Sequence, residues 1–246
     1  MRYQTTRKLW CWGLIFLLIA VLYFVVSPSR KIFGIRMPVG YELHGIDVSR
    51  YQTTIDWEYL SSFTGKNNDV KISFAFIKAT EGRTIRDPMF KSNWENIGKT
   101  GIIRGAYHYF IPTRNASEQA KNFINNVKLV KGDLPPVLDI EKLGNPGAAK
   151  LRENIKIWLN EVEKHYGMKP IIYSYIDFYE KYLFVDKVLR EYPLWVAHYD
   201  KKKIEFEESW LFWQHSDSGR IPGIGEKVDF NVFNGNIDKL KSLCKK

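Results

Sequence analysis

The chain has 246 residues, 45% of them hydrophobic and 15% aromatic, with two cysteines and a formal net charge of +10. This is enough apolar material for one large core or two small ones, and the length suits a solitary α/β barrel. Six of the excess basic residues, Arg2, Arg7, Lys8, Arg30, Lys31 and Arg36, fall in residues 1–40, which hold no acid; the rest of the chain has no basic tract interleaved with aromatics, which argues against nucleic acid as a partner.

In chain order, Leu9 to Val26 (LWCWGLIFLLIAVLYFVV) carries no charge and approaches the length an α-helix needs to span a hydrocarbon core. It ends in Tyr23, Phe24, Val25, Val26, Ser27 and Pro28, without the small-residue site of a cleavable signal peptide. The expectation is a membrane anchor over 9–26 with residues 1–8 cytoplasmic and the remainder extracytoplasmic; secretion after signal cleavage is the alternative. Cys11 lies in that run and Cys244 near the other end, so on this topology they cannot pair. Residues 27–40, with Pro28, Gly34, Pro38 and Gly40, read as a linker, and 41–246 as one domain.

Within that domain eight runs rich in β-branched and aromatic residues predict strands: 44–49, 72–80, 102–110, 135–141, 169–175, 192–199, 209–216 and 227–233. Helical patterns lie between several of them. Leu151, Ile155, Trp158, Leu159 and Val162 mark one helix face ending at Gly167; Ala116, Ala120, Phe123, Ile124 and Val127 mark another, with Thr113 or Asn115 as cap. Strand–helix alternation predicts parallel strands and a single modified (β/α)8-like barrel preceded by a transmembrane helix. Residues 201–208 and 217–226 are too short or too rich in Gly and Pro for crossover helices, so the last third is expected to be irregular.

A parallel barrel builds its site at the carboxyl ends of its strands. There the sequence places Asp47, Glu81, Tyr107, Asp139, Glu141, Tyr173, Trp195, Gln214 and Asp229. Residues i and i+2 of a strand face one side, so Asp139 and Glu141 of PPVLDIE point together, Cα atoms about 6 to 7 Å apart, while Ile140 packs the other way. Two carboxyls held close in a partly apolar site resist joint ionisation and keep one proton near neutral pH. Glycoside hydrolysis uses such a pair, and aromatic walls suit the C–H faces of sugars. Taken singly, each of these residues is more often structural; only their joint placement points to chemistry. The five histidines lack metal-ligand spacing, and no nucleotide-binding or nucleophile-elbow motif occurs.

The stretches GIDVSRYQ with IDW (45–57), FAFIKATEG (74–82), DPMFKSNW (87–94), GIIRGAYHYF (101–110), PPVLDIE (135–141), PIIYSY (170–175), LWVAHY (194–199), FWQHS (212–216) and VDFNVFNG (228–235) resemble, in order, the glycoside hydrolase family 25 lysozymes. The resemblance covers nearly all of residues 44–235. It implies a modified (β/α) barrel without metal or other cofactor, acting on the β-1,4 bond between N-acetylmuramic acid and N-acetylglucosamine in peptidoglycan. By position, Glu141 matches the general acid, Asp139 its partner assisting the 2-acetamido group, and Asp47 and Asp229 the other acids of the site. Tyr107, Tyr173 and Trp195 look like sugar-contacting positions, and Glu81 and Gln214 on the same rim complete the candidate substrate-binding set. The expected partners are glycan strands and, through the N-terminal helix, a membrane; the expected state is a monomer. A non-catalytic peptidoglycan-binding or envelope structural protein on the same barrel is the alternative, and the presence of both Asp139 and Glu141 weighs against it.

Overall fold

The structure is a computed structural model describing residues 31–64, 70–145, 147–206 and 208–246. Strands β1 (Lys31–Ile32) and β2 (Ile35–Arg36) form a hairpin turned by Phe33 and Gly34, at φ 58° and 78°. Positive φ at both central residues is what a two-residue turn with the twist of its strands demands. Although this segment reads from sequence as part of a tether, Ile35 and Met37 are buried in the core and the Phe33 ring lies 5.1 Å from that of Phe230.

The strands that follow are β3 (Leu43–Val48), β4 (Ile72–Glu81), the short β5 (Ile85–Arg86), β6 (Ile103–Tyr109), β7 (Val137–Asp139), β8 (Ile171–Tyr175), β9 (Leu194–Ala197), β10 (Phe212–Gly219) and β11 (Val228–Phe233). The helices are α1 (Trp57–Ser62), α2 (Phe90–Ile97), α3 (Ala116–Asn126), α4 (Gly147–Tyr166) and α5 (Ile237–Leu243); short turns at Ile176–Phe178, Tyr179–Leu183 and Leu189–Glu191 connect β8 to β9. Each of the eight expected runs contains a strand. The helix stripes also form as read: Leu151, Ile155, Trp158, Leu159 and Val162 are fully buried, Gly167 follows α4 at φ 72°, and Asn115 caps α3 by accepting from Glu118 N at 2.9 Å.

Eight strands close in the order β3-β11-β10-β9-β8-β7-β6-β4, with β3 paired to β4. Two parts of the expected fold class need correction. The barrel is mixed, because β11 runs antiparallel to both β10 and β3. Arg220 to Lys227, with Pro222, Gly223 and Gly225, cannot build a crossover helix, and only a crossover returns a strand in parallel. The membrane anchor is the second correction. The run 9–26 lies outside the described residues, and among the described residues no helix is long and apolar enough to cross a membrane. Even the 20-residue α4 carries Lys150, Arg152, Glu153 and Lys156 on its outer side. The single-pass placement and the membrane as a partner therefore have no support.

Alternation along the strands sorts the core into two layers. Outward residues such as Ile46, Ile77, Leu138, Ile140 and Val232 meet the helices. Inward residues, Phe74, Phe76, Val137, Trp195, Phe212 and Phe233 among them, fill the barrel, with Leu240 and Cys244 of the C-terminal segment packed against them. The rings fit because Gly45 and Gly105 face them: a Cβ would lie 2.3 Å from Phe74 at the first and 2.5 Å from Phe76 at the second. The Phe76 ring in turn stacks on Trp195 at 4.5 Å. This aromatic plug leaves the polar ends of the same inward rows at one mouth.

Candidate active site

Three strands and the exit of one of them bring the acids together. Val137 and Asp139 face inward on β7, and Glu141 follows two residues on, with Ile140 turned to the outer layer as the period of two requires. Asp47, near the end of β3, is directly paired with Asp229 on β11. Because β11 is reversed, its beginning reaches the rim where the parallel strands end. All four carboxyls line one cavity of about 250 Å³, walled also by Tyr107, Tyr173, Tyr175, Trp195 and Tyr199.

A hydrogen-bonded scaffold holds one half of this cavity. Asp47 Oδ2 accepts from Asn231 Nδ2 at 2.7 Å and from Gln214 Nε2 at 2.8 Å, and the same Gln214 nitrogen reaches Asp229 Oδ2 at 3.1 Å. Gln214 Oε1 accepts from the hydroxyls of Tyr173 and Tyr199, both at 2.7 Å, and Asn231 Oδ1 accepts from Trp195 Nε1 at 2.9 Å. A side-chain amide offers two N–H groups and two lone pairs. Gln214 spends all four on the protein, so it acts on this site by positioning.

The other half is left open. Asp139 is buried, and its Oδ1 finds no donor among the described residues. Such an atom costs about 1–3 kcal/mol unless something pairs with it. Glu141 is half-buried, near Tyr109, Lys78 and Lys142.

Burial dominates the protonation of all four acids. It pushes Asp139 well above the carboxylate range, with the charge of Glu141 adding to the effect. Glu141 is also raised by burial, and Lys142, Tyr109 and Lys78 hold it down. Asp229 is raised by burial and then by Asp47, while Asp47 is raised less because Asn231, Gln214 and Asp229 donate to it. Burial and the charge of each on the other therefore make the pair resist carrying two charges.

Of the sequence candidates, Asp47, Asp139, Glu141, Asp229, Tyr107, Tyr173, Trp195 and Gln214 line the cavity, and Glu81 does not. Glu81 instead pairs with Lys78 at 2.7 Å on the neighbouring rim. Tyr175, which ends the fifth expected strand on the same rim, also lines the cavity, as do Tyr199 and Asp217, which were not singled out. Asn231 and Lys78 were legible, since each lies two residues along a strand from an inward residue, Asp229 and Phe76. Asp217 was not, because a register shift after Gln214 breaks the alternation. His108 is a packed residue, bonded to Thr80 at 2.7 Å and stacked 5.7 Å from Trp158.

The family model described as glycosyl hydrolases family 25 matches residues 46–224. The chain belongs to this family. It is a glycosidase of the lysozyme and muramidase type. Lysozyme M1 of Streptomyces globisporus is 33% identical over 234 residues, covering 89% of this chain and 76% of that protein. The Escherichia coli K12 protein YegX is 47% identical over 223 residues, covering 90% and 80%. A family 25 glycosyl hydrolase structure from Bacillus anthracis superposes with a TM-score of 0.75 at 34% identity, over 85% of this chain and 97% of that one. The family 25 match takes in Asp47, Asp139 and Glu141, while Asp229 lies just beyond its end.

Proposed function

We propose that the chain cleaves the β-1,4 bond between N-acetylmuramic acid and N-acetylglucosamine in peptidoglycan, with Glu141 as general acid and Asp139 assisting the 2-acetamido group. The observation that carries this reading is the buried Oδ1 of Asp139, without a donor among the described residues, beside Glu141 in an aromatic-walled cavity. An acetamido N–H is a donor that fits it. The names of relatives, Lysozyme M1 and the N,O-diacetylmuramidase of Chalaropsis, point to the same substrate class.

The protons follow from the burial. In the free enzyme burial raises both Asp139 and Glu141, and the charge of Glu141 opposes ionisation of Asp139, so the pair resists losing both protons. When an acetamido N–H donates to Asp139, its anion is stabilised, and the proton of the pair passes in preference to Glu141. Glu141 then protonates the leaving glycosidic oxygen as the acetamido carbonyl oxygen bonds to the anomeric carbon and the C–O bond breaks. Asp139 stabilises the positive oxazolinium. The Glu141 carboxylate next takes a proton from water, whose oxygen adds to the anomeric carbon and reopens the ring with retained configuration. Asp47, Asp229, Asn231 and Gln214 keep the facing wall in place, and Tyr107, Tyr173 and Trp195 form the sugar-contacting surface.

Proton NMR of freshly cleaved product tests the scheme. It predicts the β anomer first; the α anomer first means inversion and removes the role given to Asp139.

A further inference from the structure

The chain leaves β3 through a tight turn, Arg50–Gln52, that is fastened more firmly than an exposed turn requires. Ser49 and Gln52 form a capping box: Tyr51 N donates to Ser49 Oγ at 3.3 Å, and Ser49 N donates to Gln52 Oε1 at 2.9 Å. Gln52 Nε2 also donates to Lys227 O at 2.8 Å, and Arg50 N to Asp87 Oδ2 at 3.0 Å. The turn is thereby tied to the segment before β11 and to the segment after β5. It closes at Thr53, whose φ of 50° is costly for a β-branched residue, and backbone strain of this kind gathers at functional sites.

What the fastened turn presents is Tyr51, with 67% of its surface exposed. The Arg50 guanidinium lies 5.2 Å from the ring centroid and donates to the hydroxyl at 3.4 Å, which restrains the ring. Tyr51 is four residues from Asp47, so no more than about 14 Å of chain separates the two. It feels the charges of Lys78 and Glu81, and so does Asp139. The Lys78–Glu81 pair is thus within electrostatic reach of both the cavity and Tyr51.

We propose that Tyr51, braced by Arg50, is a stacking platform for a saccharide unit of the glycan beyond those held in the cavity. An exposed, immobilised aromatic face gains apolar contact with a sugar ring at little cost in side-chain entropy. This inference rests on the glycan-cleaving reading of the neighbouring cavity.

The test compares Tyr51→Ala, Tyr51→Trp and the parent protein on a tetrasaccharide and an octasaccharide of alternating N-acetylglucosamine and N-acetylmuramic acid. The readout is the ratio of kcat/KM on the long substrate to that on the short one. The expected result is a fall of about tenfold in this ratio for Tyr51→Ala, carried by KM, and its recovery in Tyr51→Trp. An unchanged ratio in Tyr51→Ala, including an equal loss on both substrates, overturns the platform. The same octasaccharide is titrated calorimetrically into proteins that also carry Glu141→Gln. Weaker binding with Tyr51→Ala supports the platform even if the parent cleaves neither substrate, an outcome that sinks the hydrolase reading alone; equal affinity overturns the platform independently.

Discussion

Asp47 and Asp229 sit on paired antiparallel strands and are held by Asn231 and Gln214, whereas Asp139 and Glu141 share one strand and its exit, and a buried Asp139 oxygen has no donor among the described residues. The two pairs use the same chemistry for different ends. Where the protein satisfies its carboxylates it fixes a wall, and where it leaves one unsatisfied it keeps a place for the substrate's own donor. That division can be broken by substitution.

The largest effect is expected at the open pair. Glu141→Gln should lower kcat by about 10²- to 10⁴-fold while glycan binding persists; initial rates alongside equilibrium binding check this, and substantial residual turnover counts against Glu141 as the acid. Asp139→Asn comes next, with a loss of about 10²- to 10³-fold, because it removes charge stabilisation without removing the proton donor.

The satisfied pair should behave as structure. Gln214→Leu leaves Asp47 short of one donor and Tyr173 and Tyr199 without their acceptor, and is expected to cost about 1–3 kcal/mol of stability with a smaller loss of kcat. Chemical denaturation measures the first and steady-state kinetics the second; a full-length loss of activity with unchanged stability would place Gln214 among the reacting groups instead.

The pH dependence of stability separates the pairs further. Burial raises Asp229 to about 9, so the folded state holds its proton more tightly than the unfolded chain does. For a raised carboxyl, stability falls as pH rises from the ordinary carboxylate value toward the folded one. Asp229→Asn removes that loss, and its Tm should gain on the parent's by at least about 2–4 °C between pH 5 and pH 9. A Tm difference that does not vary with pH would mean Asp229 is ionised throughout. The smallest effect concerns Lys78, whose charge holds Glu141 down. Activity that needs protonated Glu141 is lost as pH rises through its pKa, so Lys78→Met should move the alkaline limb of the rate profile upward.

Much of this arrangement was legible in the sequence because strands have a period of two. Asp139 and Glu141 could be placed on one face by counting, and the same count from Asp229 reaches Asn231. The reversal of β11 was less accessible. The Pro and Gly content of 220–227 excluded a helix without declaring which way the strand would return. The same count from Tyr173 and from Ala197 reaches Tyr175 and Tyr199 at the ends of β8 and β9. Glu81 was expected on the cavity wall because the shift in register between Lys78 and Thr80, which changes which face follows, does not show in the strand's alternation. The long apolar run at 9–26 had length and composition in its favour, yet a spanning helix is a claim that the described residues do not bear out.

The most direct test digests purified peptidoglycan with the protein and with Glu141→Gln in parallel, reduces the products with borohydride and identifies the new ends by mass spectrometry. The account predicts reduced N-acetylmuramic acid with the first and almost none with the second. Reduced N-acetylglucosamine ends, or undiminished release by Glu141→Gln, would contradict it.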